Sequence, residues 1–387
     1  VVATGDWGRS HEAAVLGALA LAIGVAAAAW FGHRDRPLLV WTATATLAVL
    51  VLQIGLGGLA AAADGAGYAT GLHVGFGALS LALACVTAAL TIRREVPRLW
   101  PLPWRDYLTL TKPRIMVLLL LTAGAGTFVG AQGVPSAGLL ATVLGGLALA
   151  CGGASALNHV LDRDIDKYMR RTDRRPVATG RVAPERALEF GLALSAFSFV
   201  VLASFGNTLA ALLAVFGNLF YVLVYTRWLK RSTPQNIVIG GAAGAVPAVV
   251  GWAAVTGNLA LPALFLFLIV FYWTPPHFWA LALLIRRDYE AAKVPMLPVV
   301  RGERQTAVSI LRYTLLLIAI TVLPFALGEL GWIYLLVAAV LGAIFLALAI
   351  ALLRETTTAR AKTLFSFSLT YLALLFVAMA VDPIVLA

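Results

Sequence analysis

Long apolar runs separated by short polar connections recur from residue 12 to residue 381. About 17–25 apolar residues are what an α-helix needs to cross the hydrocarbon core of a bilayer. About twelve such runs are legible, at 12–32, 38–61, 71–92, 115–132, 137–157, 186–204, 207–225, 237–255, 260–280, 306–327, 331–353 and 363–381. The runs are continuous rather than alternating, which predicts spanning helices and argues against the strands of a β-barrel. The expected fold class is an all-α polytopic membrane protein of about twelve transmembrane helices.

Polar positions between the runs are sorted by sign and by side. Alternate connections carry Arg34 and Arg36, then Arg93 to Arg114, then the arginines that follow residue 162, then Arg227, Lys230 and Arg231, then Arg286 to Arg304, then Arg354, Arg360 and Lys362. The opposite connections carry almost no basic residues apart from Arg9. Positive residues stay on the cytoplasmic side, so the basic connections are expected inside and both termini outside, in a bacterial-type plasma membrane. Residues 93–113 hold Pro97, Pro101, Pro103 and Pro113 and are too polar to span. They read as a cytoplasmic linker between a three-run segment, 1–92, and a nine-run part, 114–387.

Composition agrees with this and removes one alternative. Hydrophobic residues make up 61% of the chain and charged residues 12%, about half of the charged share usual in soluble domains. The net charge of +11 would suggest nucleic acid in a soluble protein; here the basic loops account for it, and no nucleic-acid partner is expected. Cys85 and Cys151 fall inside apolar runs and read as packed small hydrophobes. Val1 in place of Met reads as an alternative start translated literally or as an incomplete N-terminus, and the sequence shows no signal-peptide pattern.

The chemistry concentrates on the basic side. Residues 158–176 read NHVLDRDIDKYMRRTDRRP. A helix would put Asn158, Asp162 and Asp166 on one face, a turn apart, and Arg170, Arg171, Arg174 and Arg175 follow at once. Carboxylates hold Mg²⁺ through few direct bonds and leave the rest of its shell to phosphates and water, and guanidinium forks match phosphate oxygens. The residues are therefore those of a site for a metal and a phosphate ligand, or of a plain solvated helix end. Two further basic-side connections resemble this one in content. Residues 225–236, YTRWLKRSTPQN, precede Gly240, Gly241 and Gly244; residues 272–288, YWTPPHFWALALLIRRD, contain His277 and Asp288. Pro275 and Pro276 are expected to break or bend their helix just before His277. Three such clusters on one side favour a shared site. In the front segment His11 and His73 start two runs at one depth, as two haem-iron ligands or as interfacial polar caps.

At these residues the nine-run part resembles the UbiA superfamily of intramembrane prenyltransferases, and within it the haem O synthase family. The likeness is carried by LTKPRI from Leu110, the Asn158/Asp162/Asp166 series, MRRTDRRP from Met169, YTRWLKRSTPQNIVIGGAAGA from Tyr225 and WTPPHFWALAL from Trp273. It covers roughly residues 105–387. It implies nine helices around a central cavity, farnesyl diphosphate and haem B as substrates, and Mg²⁺ held by Asn158, Asp162 and Asp166. Arg170, Arg174, Arg175, Lys230 and Arg231 would neutralise the diphosphate, with His277 and Asp288 contributing further substrate contacts. Many superfamily members carry a second D-x-x-x-D where this chain has His277 and Leu281, which leaves the holder of any second metal open. The front segment resembles part of a haem A synthase half through LQIGLGGL from Leu52, His73 and the VVATG before His11. The resemblance implies either a remnant or a docking module that receives haem O, with haem bound by His11 and His73 and haem A synthase as a partner in the second case. The rival readings are a prenyltransferase for another aromatic or tetrapyrrole acceptor, and a membrane transporter. The latter is disfavoured because the acids sit at helix mouths rather than at mid-membrane.

Overall fold

A helix follows wherever the apolar runs are describable. The computed structural model describes residues 5–32, 36–62, 76, 77, 79, 80, 83, 84, 87 and 104–385. Contacts divide the chain into two units, Val1–Leu102 with Phe199–Phe205, and Pro103–Ser198 with Gly206–Ala387. In the first unit, α1 (Gly5–Gly32) and α2 (Pro37–Ala62) pack through Ala26, Ala29, Leu39, Val40 and Ala43. The expected third run, 71–92, lies largely outside the described residues.

The second unit opens with α3 (Trp104–Thr111). Lys112 then turns in the left-handed region at φ 52°, and Pro113 starts α4 (Pro113–Ala131). Proline suits a first helical position because its missing N–H would have no partner there. Next come α5 (Ala137–Leu161), capped by the Ser136 hydroxyl accepting from the Leu139 N–H, and α6 (Pro184–Phe205). The seventh helix, α7, runs over Thr208–Ser232, capped by Asn207 accepting from Ala210 N–H. α8 is Asn236–Thr256 and α9 is Leu261–Leu284. The short helices α10 (Arg286–Ala291) and α11 (Leu297–Val300) lead to α12 (Gly302–Ala326), α13 (Trp332–Arg354) and α14 (Thr358–Val385). Among the described residues ten helices are long and apolar enough to cross a membrane, nine of them after residue 112, and no strand occurs.

α8 and α9 are buried along most of their length. α8 lies backbone-to-backbone on α4: a Cβ on Gly126 would strike the Ala248 carbonyl, and one on Gly251 the Ala123 carbonyl. Small residues permit that approach where lipid offers no hydrophobic drive between helices. One large apolar cluster joins α4, α8, α9, α12, α13 and α14, with Phe345, Tyr371 and Phe376 enclosed within it. A smaller cluster of Leu110, Ala156, Val160, Val177, Val182 and Ala187 ties α3, α5 and α6 to the loop after α5.

Two elements differ from the sequence expectation. α9 continues through Pro275 and Pro276, so of the break or bend expected there the break does not occur. Buried membrane helices tolerate proline because their neighbours offset the lost N–H bonds. Helix α5 ends at Leu161, so Asp162 is its C-cap and Asp166 begins a separate 3₁₀ turn, Asp166–Tyr168. The register survives, since the Asp162 N–H donates to the Asn158 carbonyl and the Asp166 N–H to the Asp162 carbonyl, each at 2.9 Å.

Candidate functional site

Apolar packing carries the end of α5 into the protein, and that burial forces its polar residues to find partners. Asn158 is 3% exposed and Asp162 0%. The Asn158 amide donates to Asp162 Oδ2 at 2.8 Å and to Thr226 Oγ1 at 3.2 Å. Its Oδ1 accepts from Lys112 Nζ at 2.8 Å. Lys230 Nζ donates to Asp162 Oδ2, and Arg231 approaches Asp162 Oδ1 at 3.7 Å. A turn further on, Arg175 Nη1 donates to both oxygens of Asp166, at 2.8 and 2.7 Å. Arg231 also grips the exposed Asp164 with both terminal nitrogens, at 2.6 and 2.7 Å.

The winding of α7 positions two of these cations. Phe220–Leu229 is π-helical, and the Lys230 N–H reaches back to the Tyr225 carbonyl. A π-helical segment inside an α-helix is a recurrent mark of functional sites. This one carries Thr226, with Lys230 and Arg231 at its end, beside α5. Lys112 is aimed by the left-handed turn before Pro113.

The loop after α5 is held by its own hydrogen bonds. The Thr172 hydroxyl donates to the Asp166 carbonyl, and Arg181 ties the loop to Asp106 of α3 and to the Arg174 carbonyl. Arg170 and Arg174 are exposed at its surface, outside the buried network. The third connection arrives where the Arg171 N–H donates to Asp288 Oδ2 at 3.4 Å. Asp288 therefore borders the arginine loop. His277 is placed elsewhere, against α14 with its Nδ1 2.7 Å from Ser368 Oγ. In the first unit His11 lies within α1, and His73 is outside the described residues.

Charge is biased towards anion binding. Four cations, Lys112, Arg175, Lys230 and Arg231, meet three carboxylates, Asp162, Asp164 and Asp166. Desolvation, reinforced by Arg175 and outweighing the pull of Asp162, holds the Lys112 pKa well below the ordinary lysine range. The Arg231 hydrogen bonds pull Asp164 down to about 2. An arriving polyanion relieves the first of these by supplying Lys112 with a counter-charge.

Mg²⁺ fits the donors present. Among the described residues no three His, Cys, Asp or Glu side chains converge into a ready-made cage. Mg²⁺ does not need one, because one or two carboxylates plus phosphate oxygens and water complete its shell. Asp162 Oδ1 is a buried hard oxygen with no hydrogen-bond partner, and an orphaned carboxylate oxygen of that kind accommodates a cation.

Sequence reasoning missed Thr226 and the inward aim of Lys112. Thr226 had a legible signal, since it stands four residues before Lys230. His159 was also missed: it is 1% exposed, with both ring nitrogens enclosed and unpartnered.

A profile of the UbiA prenyltransferase family matches residues 119–377. A relative named protoheme IX farnesyltransferase from Symbiobacterium thermophilum is 55% identical over 280 residues, 72% of this chain and 94% of that protein. One of the same name from Roseiflexus sp. is 48% identical over 338 residues, covering 82% of this chain and 63% of the relative. The chain thus spans less than two thirds of the Roseiflexus protein's length, and the match is longer than residues 93–387, so it takes in part of the front segment. Among solved structures, a digeranylgeranylglyceryl phosphate synthase aligns with TM-score 0.61 at 20% identity, over 73% of this chain and 98% of that one. A UbiA homologue from Archaeoglobus fulgidus bound to GPP and Mg²⁺ aligns with TM-score 0.50 at 16% identity, over 71% and 99%.

Proposed function

The chain belongs to the UbiA prenyltransferase family, and on that premise we propose that it transfers the farnesyl group of farnesyl diphosphate to a vinyl group of haem B. The C1–O bond of farnesyl diphosphate breaks and diphosphate leaves. C1 bonds to the terminal vinyl carbon, and water adds to the inner one with loss of a proton, giving haem O. The observation that carries this reading is the buried network Lys112–Asn158–Asp162–Lys230 with Asp166–Arg175 beside it. It is an anion receptor whose cations are neutralised internally until a diphosphate arrives. The relatives' shared name supplies the acceptor.

Asp162 and Asp166, with Asn158, would hold Mg²⁺, as suits a family in which one homologue is bound to GPP and Mg²⁺. When bound, the ion supplies positive charge to the diphosphate and so favours its departure. The chain's own residues do the rest. Lys230 and Arg175 turn from carboxylate to phosphate oxygens; Arg231, Arg174 and Arg170 add cations at the rim. Such preorganised charges act where the leaving group gains charge, in a site that water scarcely reaches. Asp288 borders the arginine loop and orders it through the Arg171 N–H. The apolar interior takes the C15 tail and limits water that would quench the allylic cation.

The domain reading keeps 114–387 as the catalytic part behind the linker 93–113. The front segment, 1–92, is a haem-handling or docking module, with haem A synthase as the partner that consumes the product. The multi-pass chain sits in the plasma membrane with the basic loops, and hence the diphosphate site, facing the cytoplasm.

The test is purified full-length protein with haem B, farnesyl diphosphate and Mg²⁺, read by mass spectrometry of the haem and by diphosphate release. Haem O should form, stop on chelation and resume with added Mg²⁺. Prenylation of another acceptor while haem B is left untouched would overturn the reading.

A further inference from the structure

His277 stands apart from the diphosphate network, and its surroundings are of another kind. It is 8% exposed on α9. Its ring stacks on Trp273 at 4.4 Å and on Phe365 at 4.8 Å between centroids. Two near-parallel rings that close cannot share one face, so the imidazole is clamped between them. The clamp is itself fixed, because Trp273 Nε1 donates to the Ser368 carbonyl at 2.7 Å.

The hydrogen bonds assign the tautomer. Ser368 Oγ has one hydrogen and two contacts, 2.6 Å to the Phe365 carbonyl, which can only accept, and 2.7 Å to His277 Nδ1; both are hydrogen bonds at once only when the hydroxyl hydrogen points at the carbonyl. At its 2.7 Å contact with His277 Nδ1, Oγ is left to accept. Nδ1 therefore carries the ring hydrogen and Nε2 carries a lone pair. Nε2 has no protein partner, yet it is not among the fully enclosed unpartnered atoms, unlike both nitrogens of His159. A neutral imidazole held through Nδ1–H by an oxygen acceptor, with Nε2 free, is the arrangement that presents histidine to a metal.

We propose that His277 Nε2 is the axial ligand of the iron in the acceptor porphyrin, an inference that rests on the function given above. The packing connects this nitrogen to the diphosphate network. One turn before His277, Thr274 lies against Gly241 of α8, where a Cβ would meet it at 3.0 Å. The adjacent Gly240 lies against Tyr225, and its chain neighbour Thr226 accepts from Asn158. Ligation fixes the distance between iron and protein, so the porphyrin cannot slide, and a vinyl edge is held in one place relative to the farnesyl C1. His277 is then a substrate-contacting residue that selects iron porphyrins over metal-free ones.

The experiment uses full-length protein carrying His11→Ala and His73→Ala, so that front-segment histidines do not contribute. It is loaded with one equivalent of haem B and reduced. Resonance Raman should show an iron–imidazole stretching band that His277→Ala and His277→Gln both abolish. Added imidazole should restore the band in the alanine variant. In turnover the KM for haem B should rise about tenfold or more in either variant, with the KM for farnesyl diphosphate unchanged. The preference for haem B over metal-free protoporphyrin IX should fall towards unity. Ser368→Ala should keep the band but shift it. An unchanged band and an unchanged preference in both His277 variants overturn the ligand assignment while the function stands. A starting protein that shows the band yet makes no haem O removes the function and leaves the ligand.

Discussion

Replacing Lys230 by methionine tests whether the buried network around Asp162 is a set of exchangeable charge partners, as the proposed diphosphate site requires. The side chain is 12% exposed and its ammonium bonds Asp162 Oδ2, on a carboxylate that is fully buried. Removing one partner of a buried ion pair costs about 3–5 kcal/mol, mostly because the other charge is stranded. Here Asp162 keeps the Asn158 amide at 2.8 Å and Arg231 at 3.7 Å, which lowers the expected loss to about 2–3 kcal/mol. About 2 kcal/mol is roughly a thirtyfold change in the folded-to-unfolded ratio. Mg²⁺ should restore more than half of the loss, by supplying a charge at the orphaned Asp162 Oδ1, while moving the parent protein little. The assay is unfolding in a denaturing-detergent titration followed by tryptophan fluorescence, with and without Mg²⁺. Asp162→Asn and the double variant complete a cycle, in which a coupling of about 1.5 kcal/mol or more is expected. A destabilisation that Mg²⁺ leaves untouched, together with additive single effects, would refute the exchange of partners.

Further outcomes follow from other contacts. Thr226→Val keeps the shape but removes an acceptor for the Asn158 amide; activity should fall by several-fold, worth about 1 kcal/mol, with the folded yield unchanged by size-exclusion chromatography. Gly251→Ala places a methyl against the Ala123 carbonyl and should abolish folded protein, whereas Gly244→Ala meets open space and should be silent; detergent-extracted yields and melting temperatures separate the two. Asp382→Ala deprives the Gly331 and Tyr334 N–H groups of their acceptor at the start of α13, and should lower stability by about 2–3 kcal/mol. A melting temperature within a degree of the parent would show the cap to be dispensable.

The spanning helices were legible because apolar run length is a one-dimensional property that the bilayer reads directly. The nine runs after residue 113 reappear as α4 to α9 and α12 to α14. The members of the buried polar network were legible for a similar reason: in so apolar a chain, Asn158, Asp162, Asp166, Lys230 and Arg231 are conspicuous. The pairing was not. Asp162 and Lys230 are separated by 68 positions, and nothing local selects Lys230 over the neighbouring arginines. The approach of α7 to α5 and the π winding over Phe220–Leu229 select it. Prolines were read locally as breaks or bends, and burial keeps α9 continuous through them. His277 shows the division most clearly. By itself the sequence offered His277 only as a candidate substrate contact. Only the packing of α14 against α9 brought Ser368 to Nδ1 and left Nε2 free, because a tautomer is set by the hydrogen-bond partner, and that partner lies 91 positions away.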